Sequence, residues 1–340
     1  MQAIYELTES TQRMIYHVAG QIIVVEARDS WSARAIEQLF TGWYLVRELD
    51  SQDMTTTPAI VMRSTVNPPE IPRDWPQFEI AGQGTCYTNA GTSYIDIEGS
   101  IIAIGKPGHV AVEVWTNGML EIQSPALTRV VTYALGAALR PRGLFELHSG
   151  AVVDPKSGRG VLIIGPSGSG KSTLTVQLAA AGWSFLTDDV LWLSSKAGEV
   201  RAWPIRRCFA VTAGTFAASN LLQTRTKLDY TQAQSDEKKQ FAPESVFNSE
   251  FREQCIPQAL FFSELSGGES SHIFRLSTAE TMARLIRLNP WSCYDRTTAT
   301  DHLAVLSDLA TQATGYSLHA GKDLLDPETA ASLIAAYTRG

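Results

Sequence analysis

Eight consecutive residues, Gly165-Pro166-Ser167-Gly168-Ser169-Gly170-Lys171-Ser172, fit the pattern GxxxxGK[ST] at every fixed position. Those residue types at that spacing suit one task, holding a run of phosphates. Glycines let the backbone curl until its N–H groups converge on phosphate oxygens. A helix that starts at the lysine adds the partial positive charge of its N-terminus. Lys171 then reaches the β- and γ-phosphates, and the Ser172 hydroxyl can ligate Mg²⁺. With Thr173, residues 165–173 form a candidate nucleotide-binding segment. The competing reading is a Gly/Ser-rich turn without a ligand. The flanks argue against it, because Val161-Leu162-Ile163-Ile164 reads as a strand and STLTVQLAAA reads as a helix.

Seventeen and eighteen residues beyond Lys171 come Asp188 and Asp189, at the end of the run Trp183–Thr187. One helix of about 11 residues and a short turn return the chain to the same sheet, within reach of the phosphates. Two adjacent carboxylates there can divide labour, one holding Mg²⁺ and the other accepting a proton from an attacking hydroxyl. The structural alternative is an Asp pair capping a turn. His148 stands 23 residues before Lys171, at the end of the largely apolar run Gly143–Leu147. From the residues alone it is either a structural histidine or a neighbour of the γ-phosphate. Arg206, Arg207, Lys238 and Lys239 are candidates for steadying a triphosphate or an acidic substrate, since guanidinium forks suit phosphate. Solvated surface charge is the alternative for each. His109 reads as a turn residue, and Trp203 before Pro204 as packing.

The elements that must position these groups are legible in outline. Spacing predicts a strand at Gln21–Ala27, a helix over Trp31–Thr41 capped by Ser30 and stopped by Gly42, and extended chain at Gly42–Glu48. Four prolines make Ser64–Gln77 a loop or extended connection. Within residues 85–123, TCYTNA, TSYIDIEG, SIIAIG, HVAVEVW and MLEIQ read as an antiparallel meander, with Asn117-Gly118 as a hairpin turn. Ser124-Pro125 opens a helix expected to stop near Arg140. A new unit follows: strands at Leu144–Leu147, Gly160–Ile164 and Trp183–Thr187, and a helix over Lys171–Ala181 ended by Gly182. Thr231–Ser245 is polar and reads as a surface loop that could act as a lid. Three capped helices close the chain, announced by Ser277 with Glu280, Thr298 with Asp301, and Asp326 with Pro327. The fold class expected is α/β in the mixed α+β sense, with a strand-rich domain at 1–140 and a catalytic domain at 141–340.

Composition sets outer limits. The 340 residues are 44% hydrophobic and 19% charged, which excludes a wholly disordered chain. The length suggests two domains at roughly 150 residues each. Lys and Arg number 28 against 35 Asp and Glu, a net charge of −7. That balance argues against nucleic acid or an anionic membrane as the main partner. Cys86, Cys208, Cys255 and Cys293 form no CxxC pair, so reduced, mostly buried thiols are expected. With a polar start and no run near the roughly 18 apolar residues of a span, the expected compartment is the cytoplasm.

His148-Ser149-Gly150, GVLIIGPSGSGKST and FLTDDV, in this order and spacing, resemble the HPr kinase/phosphorylase family and its related kinases. These share a nucleotide-binding fold with the ATP-dependent phosphoenolpyruvate carboxykinases. The resemblance covers roughly residues 141–195 well and the rest to the C-terminus more loosely. It implies a protein-serine kinase using ATP and Mg²⁺. On that basis Lys171 binds phosphate, Ser172 ligates Mg²⁺, and Asp189 is the general base. Asp188 supports that base or the metal, and His148 lies beside the transferred group. The family's Glu-Leu-Arg-Gly run is absent, and Ala202-Trp203-Pro204-Ile205-Arg206-Arg207 stands in its place. In the family that run is linked to metal binding and to the reverse, phosphorylase reaction, which is therefore not expected here. The chain looks more like divergent relatives, some of which are associated with phosphorylation of peptides such as lasso-peptide precursors. The expected partner is then a protein or peptide with an acceptor Ser, and a homo-oligomer is a further possibility. A small-molecule kinase and a non-catalytic nucleotide sensor are the competing functions.

Overall fold

The computed structural model describes residues 11–42, 47–48, 57–80, 84–105, 110–118, 120–122, 124–206, 208–230, 238–289, 292 and 295–338. The chain is mixed α/β with two large mixed sheets. It divides into two compact units, Met1–Leu144 with Asp295–Thr297, and Phe145–Tyr294 with Thr298–Gly340.

The first unit contains strands β1 (Gln12–Val18), β2 (Gln21–Ala27), β3 (Arg47–Glu48), β4 (Ile60–Thr65), β5 (Gln77–Glu79), β6 (Thr85–Asn89), β7 (Thr92–Ile97), β8 (Ser100–Ile104) and β9 (Val112–Asn117). They form one sheet in the order β3-β1-β2-β4-β9-β8-β7-β6-β5. The meander expected for β6 to β9 is present, and β5 extends it. β2, β4 and β9 run parallel to one another, which the sequence reading did not foresee. Tight hairpins close on Ala19-Gly20, Ala90-Gly91 and Glu98-Gly99, each pair with positive φ at both residues. That geometry matches the strand twist and favours glycine second. Asn117-Gly118 closes no hairpin. β9 already has β4 on one side and β8 on the other, so no edge remains for a partner. Of the MLEIQ segment, the described residues Leu120–Ile122 are not a strand.

Two helices cover this sheet, α1 (Ser30–Gly42) on β2 and β4, and α2 (Pro125–Leu139) on β8 and β9. The cap of α1 is Asp29, not Ser30: its carboxylate accepts from Ser32 N at 2.8 Å and Ser32 Oγ at 2.9 Å. A carboxylate there also opposes the positive helix end. Ser124 caps α2 as expected, and Pro125 occupies its first position. Arg140–Arg142 continue as a 3₁₀ turn, and the buried Arg140 bonds Asp295 at 2.8 Å. That pair ties the short excursion 295–297 to the first unit.

The second unit holds β10 (Phe145–Val153), β11 (Gly160–Ile164), α3 (Lys171–Ala180), β12 (Ser184–Thr187), β13 (Val190–Lys196), β14 (Glu199–Pro204), β15 (Phe209–Val211), α4 (Ala213–Ala217), α5 (Asn220–Arg225), β16 (Lys239–Phe241), β17 (Pro257–Leu265), β18 (His272–Arg275), α6 (Thr278–Leu288), α7 (Ala299–Gln312), β19 (Thr314–Ala320) and α8 (Pro327–Thr338). The main sheet is ordered β14-β13-β10-β11-β17-β19-β18, with β12 also on β10. β11, β17 and β19 are parallel and the remaining pairings antiparallel. α3 and α8 pack on one face around Val176, Phe185 and Phe261, and α6 and α7 on the other around Leu162, Leu285 and Leu306. β11, covered on both faces, is buried at all five positions.

Several expectations are corrected here. β10 does not stop at Leu147 but runs through His148-Ser149-Gly150 to Val153, because β13 pairs its first half and β11 and β12 its second. Thr231–Ser245 is not all loop: β16 and the 3₁₀ turn Pro243–Ser245 lie within it, and residues 231–237 fall outside the described set. Thr298 makes no side-chain cap to α7, whereas Ser277 and Asp326 cap α6 and α8. Cys86, Cys208 and Cys255 are free and buried, and burial pushes each thiol up to about 12. Cys293, His109 and residues 43–46 of the predicted extended segment lie outside the described residues. Among the described residues no helix is long and apolar enough to cross a membrane.

Candidate active site

The glycine-rich segment links β11 to α3, the strand–loop–helix order that phosphate binding requires. Gly168 and Gly170 hold φ of 79° and 89°, conformations that disfavour any side chain. Gly165 has a different reason. A Cβ there would stand 2.6 Å from Ser169 Oγ and from Ser263 O, so the loop can lie close on β17 only with glycine. Ser263 Oγ secures that approach by donating to Ser169 O at 2.8 Å. Lys171 Nζ donates to Gly165 O at 2.9 Å and to Pro166 O at 2.8 Å. Burial lowers its pKa to about 8, against the pull of Asp189. Ser172 Oγ donates to the Asp188 backbone carbonyl at 3.4 Å, and Thr173 Oγ1 meets Thr215 Oγ1 at 2.8 Å.

Asp188 and Asp189 form the break between β12 and β13, which pair with β10 one after the other. This placement explains the His148-Ser149-Gly150 triplet. Ser149 N donates to Asp189 O at 2.8 Å and so fixes the break to β10. Gly150 leaves room for α3, because a Cβ there would stand 2.2 Å from Thr175 Oγ1. His148 Nδ1 lies 3.4 Å from Asp189 Oδ1, and Arg206 Nη1 lies 3.5 Å from Asp189 Oδ2.

The two carboxyls occupy different environments. Asp188 is buried, accepts from Ala210 N at 3.1 Å, and is raised to about 7 by burial and then by the charge of Asp189. The Ala210 amide, Lys238 and the Ser172 hydroxyl pull it the other way. Burial would raise Asp189 too, but His148, Arg206, Lys238 and Lys171 outweigh it and hold the carboxyl below its usual range. His148 is lowered by burial, with Asp189 pulling up and Lys171, Lys238 and Arg206 pushing down. One carboxylate is thus held below its usual range beside an imidazole and a guanidinium, next to a second raised to about 7.

A cleft of about 420 Å³ is lined by Lys171 and Lys238, the two lysines whose charges act on Asp189. Ser167, Gly168 and Gly170–Thr173 line it from the glycine-rich segment, together with Thr212, Gly214, Thr215 and Lys238, and with Leu265, Gly267, Gly268, residues 320–322, Leu324 and Leu325. The structure therefore gathers residues 165–173, His148, Asp188, Asp189, Arg206 and Lys238. Lys239 is placed elsewhere: its ammonium donates to Asp229 O and lies 5.2 Å from the centre of the Tyr230 ring. Arg207 lies outside the described residues. Trp203 packs within the β13–β14 hairpin, with Nε1 donating to Ser194 Oγ at 3.1 Å. Sequence reasoning missed Leu265, Thr215 and Leu325, whose only local signals were the Gly267-Gly268 pair and the Thr212 cap.

Among the described residues no group of three or more His, Cys, Asp or Glu side chains is arranged to hold a metal unaided. The donor set still fits Mg²⁺, which takes one or two protein oxygens and completes its shell with phosphate and water. Ser172 Oγ and a carboxylate of the Asp pair are the oxygens that could hold it. No protein-family model and no curated protein matches the chain.

Proposed function

We propose that the second unit is a P-loop kinase domain of the HPr kinase/phosphoenolpyruvate carboxykinase type. It transfers the γ-phosphate of ATP to a hydroxyl, most readily Ser, of a protein or peptide. One observation carries this reading: Asp189, beside His148 and Arg206, is held below the usual carboxylate range by charges that include Lys171 and Lys238, two residues lining the cleft built on the glycine-rich loop. A phosphate-binding loop needs none of that; a group that takes a proton from an attacking hydroxyl does.

The loop amides and Lys171 hold the triphosphate and draw charge toward the β- and γ-oxygens. Asp189 takes the proton of the acceptor hydroxyl as the hydroxyl oxygen bonds to the γ-phosphorus and the bond from phosphorus to the bridging oxygen breaks, leaving ADP. His148 and Arg206 keep Asp189 ionised and aimed. Lys238 adds positive charge where the transferred group carries negative charge. Mg²⁺, held by Ser172 and Asp188, would neutralise the phosphate oxygens when bound.

The test is Asp189→Asn, assayed with radiolabelled ATP and a degenerate Ser-centred peptide library. Loss of a general base is expected to lower transfer by about 10²- to 10⁴-fold while ATP still binds. Transfer at the wild-type rate would remove Asp189 from the role. Label appearing on metabolites but on no peptide would favour the small-molecule kinase, and ATP binding with no turnover at all would favour the sensor.

A further inference from the structure

We propose that the apolar arm of the cleft clasps the nucleotide base between Leu265 and Leu325 and does not discriminate adenine from guanine. The inference rests on the nucleotide reading above and extends it to base selection. Leu265 and Leu325 are 64% and 41% exposed, two of six large apolar side chains so exposed among the described residues. Both line the cleft that holds the glycine-rich loop. Large apolar groups left in water inside a concavity mark a ligand surface. Leu265 also abuts the phosphate cradle: its Cδ2 lies 3.1 Å from where a Cβ on Gly170 would stand. The occupant is therefore a flat apolar group carried on a phosphate chain.

Among the described residues that line this arm, none offers a buried polar side chain to read a base. Gly267, Gly268 and Gly321 contribute no side chains. Five amides of this arm are spent internally: Ser266 N on Ala320 O, Gly268 N on Ser266 Oγ, Gly321 N on Ser271 Oγ, Lys322 N on Gly268 O, and Asp323 N on Glu269 O. Lys322 is a cation on an exposed, flexible stem and pairs with Glu269 at 2.6 Å. Strong discrimination between bases requires buried polar groups that the wrong base leaves unpaired. Contact area alone treats the two purines alike.

The experiment titrates the full-length protein with ATP, GTP and inorganic triphosphate, each with Mg²⁺. ATP and GTP should bind within about threefold of each other, and both about tenfold or more tighter than inorganic triphosphate. Leu325→Ala, an exposed truncation that should not impair folding, should weaken both nucleotides about tenfold and spare inorganic triphosphate. A preference for one purine above about thirtyfold, nucleotides bound no tighter than inorganic triphosphate, or an unchanged Leu325→Ala would each overturn the proposal. Binding of inorganic triphosphate alone would leave the phosphate site standing; binding of none of the three would remove the nucleotide reading as well.

Discussion

In the first unit, Glu26 is buried on β2, yet each carboxylate oxygen meets a guanidinium: Arg13 at 2.8 Å and Arg28 at 2.5 Å. Asp29 beside it satisfies Ser32 and Ser64. In the second unit, burial works against the charges. Lys171 is brought down to about 8 and Asp188 up to about 7, with Asp189 beside it. Both units are twisted mixed sheets covered by helices, so the contrast lies in what the charges do. Paired charges stabilise a fold, whereas charges crowded beside a glycine-rich loop with displaced pKa values mark a candidate functional site.

The largest effect should come from Lys171→Met. Nucleotide affinity is expected to fall by at least about tenfold and transfer by about 10³-fold, read by titration and by labelled ATP. The same variant should not melt lower near pH 7. The folded-state pKa of Lys171 lies below its unfolded value, so the cost of burying the ammonium is full below about 8 and gone by about 10.5. A lower melting temperature with intact binding would make this lysine structural, like Glu26.

Asp188→Asn should alter the pH profile of stability. The folded pKa of Asp188 is raised to about 7, so its contribution to stability is full below the unfolded value near 4 and is lost as pH rises to about 7. The variant should gain on the wild type across that window by up to about 1.4 kcal/mol per pH unit, read from denaturant melts. Parallel profiles would mean that Asp188 is not held in this way.

Glu26→Ala probes the other side of the comparison. It should destabilise the first unit by about 1–3 kcal/mol and leave ATP affinity within about twofold. A large loss of affinity would break the division of labour. The smallest effect expected is at Ser277, whose hydroxyl caps Glu280 N at 3.2 Å in a reciprocal capping box. Ser277→Ala should cost about 1 kcal/mol of stability without touching transfer kinetics.

These contrasts also mark what the sequence could reveal. The loop, α3 and the reach of the Asp pair were legible because each follows from contiguous pattern and chain length. The capping box at Ser277 and the Ser124-Pro125 helix start were legible for the same reason. The parallel run β2-β4-β9 was not, since pairing between distant strands leaves no local period. The Asn117-Gly118 signal misled because a turn-forming dipeptide cannot report that both flanks of β9 are taken. The tie from Ser149 to Asp189 and the return of Asp295 to Arg140 are long-range contacts of the same hidden kind. Lys238 and Lys239 are adjacent in sequence, and only the course of the chain into β16 separates the one lining the cleft from the one on Tyr230.

The central claim is that this cleft passes a γ-phosphate to a serine. Phosphorus NMR of the full-length protein with ATP, Mg²⁺ and the degenerate Ser-centred peptide library follows every phosphate in one sample. The account predicts loss of the γ-phosphate resonance matched by ADP and a phosphoserine ester. Unchanged ATP, or ADP accompanied only by inorganic phosphate, would contradict it.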